Sequence, residues 1–177
     1  MYLATVAMTV AAWQAFIEDL ALAIFDDTAA ASNAANTPLL RLSRRLYADQ
    51  LTTFNTPNSD NTRSLFAAAG FELGKGWAVN VNGPPQQTFT ASQANTVLDR
   101  WVQVRHCVAH GFPLEENAKL KNQPKSGKLR VITGKAPAGK GKSGMAVNRK
   151  DAHACVHFFK ALGETMAVQA RVYVKSL

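Results

Sequence analysis

Thr90-Ala-Ser-Gln-Ala-Asn-Thr-Val-Leu-Asp-Arg100-Trp-Val-Gln-Val-Arg105-His-Cys-Val-Ala-His110-Gly111 is the stretch whose periodicity decides the fold. Ala94, Val97, Leu98, Trp101, Val104 and Val108 recur at steps of three and four, which places them on one face of an α-helix. Asp99, Gln103, His106 and His110 fall on the other side. Thr90 or Ser92 offers an N-cap oxygen, and Gly111 supplies the left-handed residue that commonly ends a helix. The stretch therefore predicts an amphipathic helix that buries its stripe in a bundle and shows two histidines and an arginine near its C-terminus.

Upstream, residues 2–30 read as one long helix, with Trp13, Phe16, Ile17, Leu20 and Ile24 at helical steps. Its first 17 residues are uncharged and apolar. No basic segment or small-residue cleavage site marks a secretory leader. Thr5, Thr9 and Gln14 interrupt the run, and Glu18-Asp19 close it before a span of about 20 residues. The expectation is a buried first helix in a cytoplasmic protein, with its first residues apolar enough for a dimer interface. A loop near residue 31 precedes Thr37-Pro38, an N-cap followed by proline at the first helical position. The second helix should run from Leu39 to about Thr53, with Leu39, Leu42, Leu46 and Tyr47 inward and Arg41, Arg44 and Arg45 in solvent. Thr56-Pro57-Asn58-Ser59-Asp60 caps a short third helix ending near Gly70. Phe71 to Phe89 reads as irregular, with Trp77-Ala-Val-Asn-Val a brief extended piece. Lys75, between two glycines, lacks the spacing of a phosphate loop.

Downstream, Gly127 to Thr133 has strand character from Leu129, Val131 and Ile132. Gly134 to Gly144 is low in complexity and is expected to be mobile, or to form a β-hairpin with Ala138-Gly139-Lys140-Gly141 near its tip. The last helix should run from about Asp151 to Val174, with Cys155, Phe159, Leu162, Met166 and Tyr173 as its stripe and His153 and His157 opposite. The whole predicts an all-α, up-and-down bundle of about five helices. It forms one domain over 1–177, with a basic hairpin or loop insertion at about 113–150.

Composition agrees with a packed domain: 47% of the 177 residues are hydrophobic and 18% charged. The net charge of +8 favours an anionic partner such as nucleic acid. That charge is local. Residues 117–150 hold ten basic side chains and no acidic one, while the remainder carries −2. Lys128, Arg130, Lys135, Lys140 and Lys142 are the candidate phosphate contacts of this window, which has no interleaved aromatics for base stacking. A solvated loop is the plainer alternative. Cys107 and Cys155 fit neither a disulfide framework nor a zinc site and read as small buried hydrophobes.

Arg105 and His110, separated by four residues and with His106 directly after the arginine, resemble the Arg-x4-6-His motif of the HEPN superfamily. Phe54-Asn-Thr-Pro57-Asn-Ser-Asp-Asn61-Thr-Arg-Ser-Leu65-Phe66, followed by Gly70, is similar to the upstream segment of HEPN domains of the RiboL-PSP type. Ala12-Trp13-Gln-Ala-Phe16-Ile-Glu18-Asp19-Leu20 looks like their first helix. The resemblance covers roughly residues 1–112 and the last helix. It implies an endoribonuclease that uses no metal or other cofactor, works as a homodimer with motifs of both protomers in one cleft, and belongs to toxin or phage-defence systems often restrained by a cognate antitoxin protein. In that chemistry the RNA 2′-OH attacks the adjacent phosphorus. A histidine, with an ordinary pKa of about 6.5, moves protons near neutral pH. An arginine grips phosphate oxygens as negative charge builds. His110 is then the acid or base, Arg105 the phosphate clamp, and His106 a positioning or second proton-handling group.

Residues five apart on an ideal helix lie roughly 140° apart, so Arg105 and His110 share no single line. Their convergence requires the helix to loosen before Gly111 or a partner protomer to complete the site. Polar side chains on an outer helix face are also ordinary. Two other functions remain open on the residues: a non-catalytic RNA-binding or scaffold module, and a metal site built from the i, i+4 pairs His106/His110 and His153/His157.

Overall fold

The computed structural model describes residues 1–31, 37–73, 77–82, 86–135 and 144–177. The chain is mostly helical. Five helices of ten residues or more are α1 (Tyr2–Ala31), α2 (Pro38–Thr52), α3 (Ser59–Ala68), α4 (Ala91–His110) and α6 (Arg149–Lys175). A one-turn α5 (Ala118–Lys121) follows a 3-10 turn at Leu114–Glu116. Two small antiparallel ribbons complete the described fold: β1 (Val79–Val81) with β2 (Gln87–Phe89), and β3 (Gly134–Lys135) with β4 (Met145–Ala146). The all-α architecture with a small hairpin matches the sequence reading.

The helix ends follow from local chemistry. Thr37 caps α2 through its hydroxyl, with Pro38 at the first helical position. Asn58 caps α3 by accepting from the Asn61 amide. Thr90 and Gln93 form a reciprocal capping box at the start of α4, and Asn148 and Asp151 do the same for α6. Gly111 ends α4 at φ 67°, and the Phe112 amide reaches back to the Cys107 carbonyl, the pattern of a Schellman cap.

Helix α1 is the organising element, packed against α6, α4, α2 and α3. Its buried side is Val6, Val10, Trp13, Ile17, Ala21 and Ile24, at helical spacing. Among the described residues it is the one helix long and apolar enough to cross a membrane, and only 28% of its most apolar window is buried. The run continues through Glu18-Asp19 as unbroken helix. Trp13 meets Phe16 on its own helix and Phe159 on α6, with ring centroids 5.8 and 5.5 Å apart. Most of the expected stripes of α4 and α6 is buried: Ala94, Val97, Leu98, Trp101 and Val104 on the first, Cys155, Phe159, Leu162 and Met166 on the second, with Val108 and Tyr173 half-buried. Burial raises the thiol pKa of both cysteines.

Helix α2 departs from its expected orientation. Leu39, Leu42 and Leu46 are 74, 54 and 61% exposed, and only Tyr47 of the expected face is buried. The inward line is one residue further round, through Ser43, Tyr47 and Leu51. Tyr47 fixes it: its ring stacks on Phe25 at 5.0 Å and its hydroxyl donates to the Leu65 carbonyl at 2.9 Å. Arg44 pairs with Asp26 at 2.6 Å, which lowers the Asp26 pKa, so this arginine is not simply solvated.

Residues 127–133 form turns and an irregular extended run, not a strand. Val131 and Ile132 are buried there without a neighbouring strand, because the Gln123 side chain takes its place. Its oxygen accepts from both amides at 3.0 and 3.2 Å, and its nitrogen donates to the Ile132 carbonyl at 3.0 Å. The described part of the basic window is thus anchored in the core, through Leu120, Val131 and Ile132. The sequence also gives no warning of β2, α5 or the 3-10 turn. The expected hairpin tip at 138–141 lies outside the described residues; β3 and β4 pair antiparallel, Gly134 with Ala146 and Lys135 with Met145.

Candidate functional site

The site grows from the C-terminal half of α4. Helical geometry holds to His110, so the helix does not loosen before Gly111. His106 and His110 share the exposed face, with ring centroids 4.4 Å apart. Phe112, just past the cap and 56% exposed, turns back beside both rings at 6.0 and 5.9 Å. The result is an exposed patch of two imidazoles and one phenyl ring. Proline at 113 and the 3-10 turn that follows carry the chain away from it.

Arg105 leaves the helix in another direction. Its guanidinium donates to the Gln14 side-chain oxygen at 2.7 Å. Gln14 in turn donates to the Glu18 carboxylate at 2.9 Å and to the Phe54 carbonyl at 2.6 Å. On the same flank the Trp13 indole donates to the Pro57 carbonyl at 3.3 Å. Asp99, two turns before the histidines, accepts from the Ser59 amide at 2.9 Å and pairs with Lys119 at 3.7 Å. Residues 12–20, residues 54–66 and the Arg105–His110 segment are far apart in sequence and meet here. Gln14 joins all three.

Within the chain the structure brings His106 to His110 and Arg105 to Gln14. The arginine and the histidine pair stay on separate flanks of α4. Gln14 is the functional-looking residue that the sequence reading passed over. Its signal was available, as a lone amide within the apolar run of α1, where a half-buried polar side chain finds a partner.

The basic window divides. The Lys128 ammonium donates to the Thr88 carbonyl at 2.6 Å and stands 5.6 Å over the Phe89 ring. Arg130 donates to the Ile132 carbonyl at 2.8 Å and to the Lys125 carbonyl. Both cations therefore tie the window down while keeping their charge at the surface of a cavity. Lys135 is exposed on β3. Lys140 and Lys142 lie outside the described residues.

His153 and His157 line the same cavity, at the start of α6. Among the described residues no three His, Cys, Asp or Glu side chains gather closely enough to hold a metal ion. Comparison with family models, with curated proteins and with solved structures gives no match to this chain.

Proposed function

We propose that the chain is a metal-independent endoribonuclease, acting as a homodimer on RNA. The observation that carries the reading is the convergence at Gln14, which joins the three HEPN-like segments beside an exposed histidine pair. In the proposed reaction one imidazole takes the proton from a ribose 2′-OH. The 2′-oxygen bonds to the adjacent phosphorus, the bond from phosphorus to the 5′-oxygen breaks, and a second group protonates that oxygen. The products are a 2′,3′-cyclic phosphate and a free 5′-OH. His110 and His106 are the proton-handling pair, and Arg105 supplies charge to the phosphate oxygens. Because Arg105 and His110 occupy different flanks of α4, the cleft takes the arginine of one protomer and the histidines of the other. Lys128, Arg130 and Lys135 add sequence-independent attraction for the RNA backbone. The setting is a cytoplasmic toxin or defence system, in which a cognate antitoxin protein would cover the patch.

The test is cleavage of labelled RNA by purified protein in EDTA. Native chain should yield 2′,3′-cyclic phosphate ends. Arg105→Ala and His110→Ala should each lose roughly a hundredfold or more in rate. An equimolar mixture of the two variants should regain part of the activity, since one of the two composite clefts would then be intact.

A second reading rests on the Arg105–Gln14 bond. An arginine committed to a side-chain amide is a structural tie, and a protein of that kind binds RNA without cutting it. Native chain that binds RNA but leaves it uncut in EDTA would establish this reading. Cleavage that starts only on adding a divalent metal would sink the proposed mechanism.

A further inference from the structure

A cavity of about 570 Å³ opens between the N-terminal half of α4, the β1–β2 ribbon, residues 127–133 and the first turns of α6. Small-molecule sites span roughly 300–1,000 Å³. Its floor is apolar and largely aromatic: Phe89, Val97, Trp101 and Phe158 line it, each 3% exposed or less. Its rim is basic, with Lys128 and Arg130 on one side and Lys150, His153 and His157 on the other. Asp151 is the acid in the lining, and its oxygens are already taken by the amides of Thr133, Gly134 and Asn148 and the hydroxyl of Thr133. Lys150, His153 and His157 follow one another at i, i+3 and i+7, which puts them on one face of α6. Among the described residues the side chains of these three make no hydrogen bond or ion pair. Their donors are available to a ligand.

We propose that this cavity binds a nucleoside monophosphate unit, with its flat base over the floor of Trp101 and Phe158 and its phosphate on Lys150, His153 and His157. The rim alone would suit any phosphate and the floor alone any apolar body. One cavity holding both selects a molecule that carries both. The unit comes either as a free nucleotide or as one residue of an RNA strand. The site does not depend on ribonuclease activity. Trp101 and His110 are nine residues apart, about half a turn round the helix and roughly 13 Å along it, so the cavity and the histidine patch face different ways.

Calorimetry with adenosine 5′-monophosphate, adenosine and inorganic phosphate tests the proposal on the full chain. The nucleotide should bind at least about tenfold more tightly than either fragment. Lys150→Ala/His157→Gln, altered only at rim positions, should keep its thermal melt and lose about tenfold in affinity for the nucleotide. Nitrogen-labelled protein should show nucleotide-induced NMR shifts at the Trp101 indole and the His157 ring. Absence of nucleotide binding at millimolar concentration, phosphate binding as tight as the nucleotide, unchanged affinity in the double variant, or shifts confined to His106 and His110 would each overturn it. A triribonucleotide that binds more tightly than the mononucleotide assigns the unit to an RNA strand. Equal or weaker binding assigns it to a free nucleotide.

Discussion

The two halves of α4 carry similar side chains to different ends. In the N-terminal half Arg100 donates to the Leu129 carbonyl, is partly buried, and has its pKa lowered by that burial. That bond ties the basic window to the helix. In the C-terminal half Arg105 donates to the amide of Gln14, and the histidines beside it stand in solvent. A backbone carbonyl is a permanent acceptor whose loss leaves a buried group unpaired. A side-chain amide is a partner that a phosphate can replace. Charge on a helix therefore says little about function until the identity of its partner is known.

This contrast can be broken most severely at Trp101. Trp101→Ala empties a site that is 1% exposed and should cost about 4 kcal/mol in urea unfolding. Asp151→Ala comes next. Its buried carboxylate serves as N3 partner of the α6 capping box and accepts from Thr133 and Gly134, so its loss strands several donors. A destabilisation of about 3 kcal/mol is expected, with Asp151→Asn recovering only part of it, again by urea unfolding. Gln14→Ala should cost about 1 kcal/mol of stability, and should lower RNA cleavage about tenfold by releasing Arg105. A variant with intact cleavage would show that the Gln14–Arg105 bond has no part in positioning the arginine. The smallest expected effect on stability is at the histidine patch. His106→Ala and His110→Ala should each change unfolding free energy by no more than about 0.5 kcal/mol, while His110→Ala should lower the proposed cleavage roughly a hundredfold or more. A large loss of stability there would erase the distinction between the two halves.

Legibility in the sequence varied with how far a stripe had to look for its partner. On α4 and α6 the apolar residues are dense enough that one face dominates, and those faces are buried, as is the line through Trp13, Ile17 and Ile24 on the more uniformly apolar α1. On α2 the leucines at 39, 42 and 46 make a convincing helical line that faces solvent. Tyr47, with a hydroxyl that needs an acceptor and a ring that finds Phe25, sets the rotation instead. Residues 127–133 mislead for a related reason. Val131 and Ile132 have strand-like chemistry, but Gln123 satisfies their backbone from eight and nine residues away, and no strand pairs with them. In the candidate site, Arg105, His106 and His110 were legible as residue types at a telling spacing. Gln14, Lys150 and the shared cavity of His153 and His157 were not, since nothing local to those positions announces a partner 91 residues distant or a rim shared between residues 127–133 and the start of α6.

By itself the sequence determined the five long helices, their caps and the local sign of charge, because these depend on neighbours within a turn or two: a threonine before a proline, a glutamine three residues after a threonine, ten cations in a run without an acid. Only the tertiary structure decided which way each polar group points. That choice is made by acceptors and packing partners brought from elsewhere in the chain, and it is what sends Arg105 to α1, leaves His106 and His110 together in solvent, and turns a basic window into the rim of a cavity.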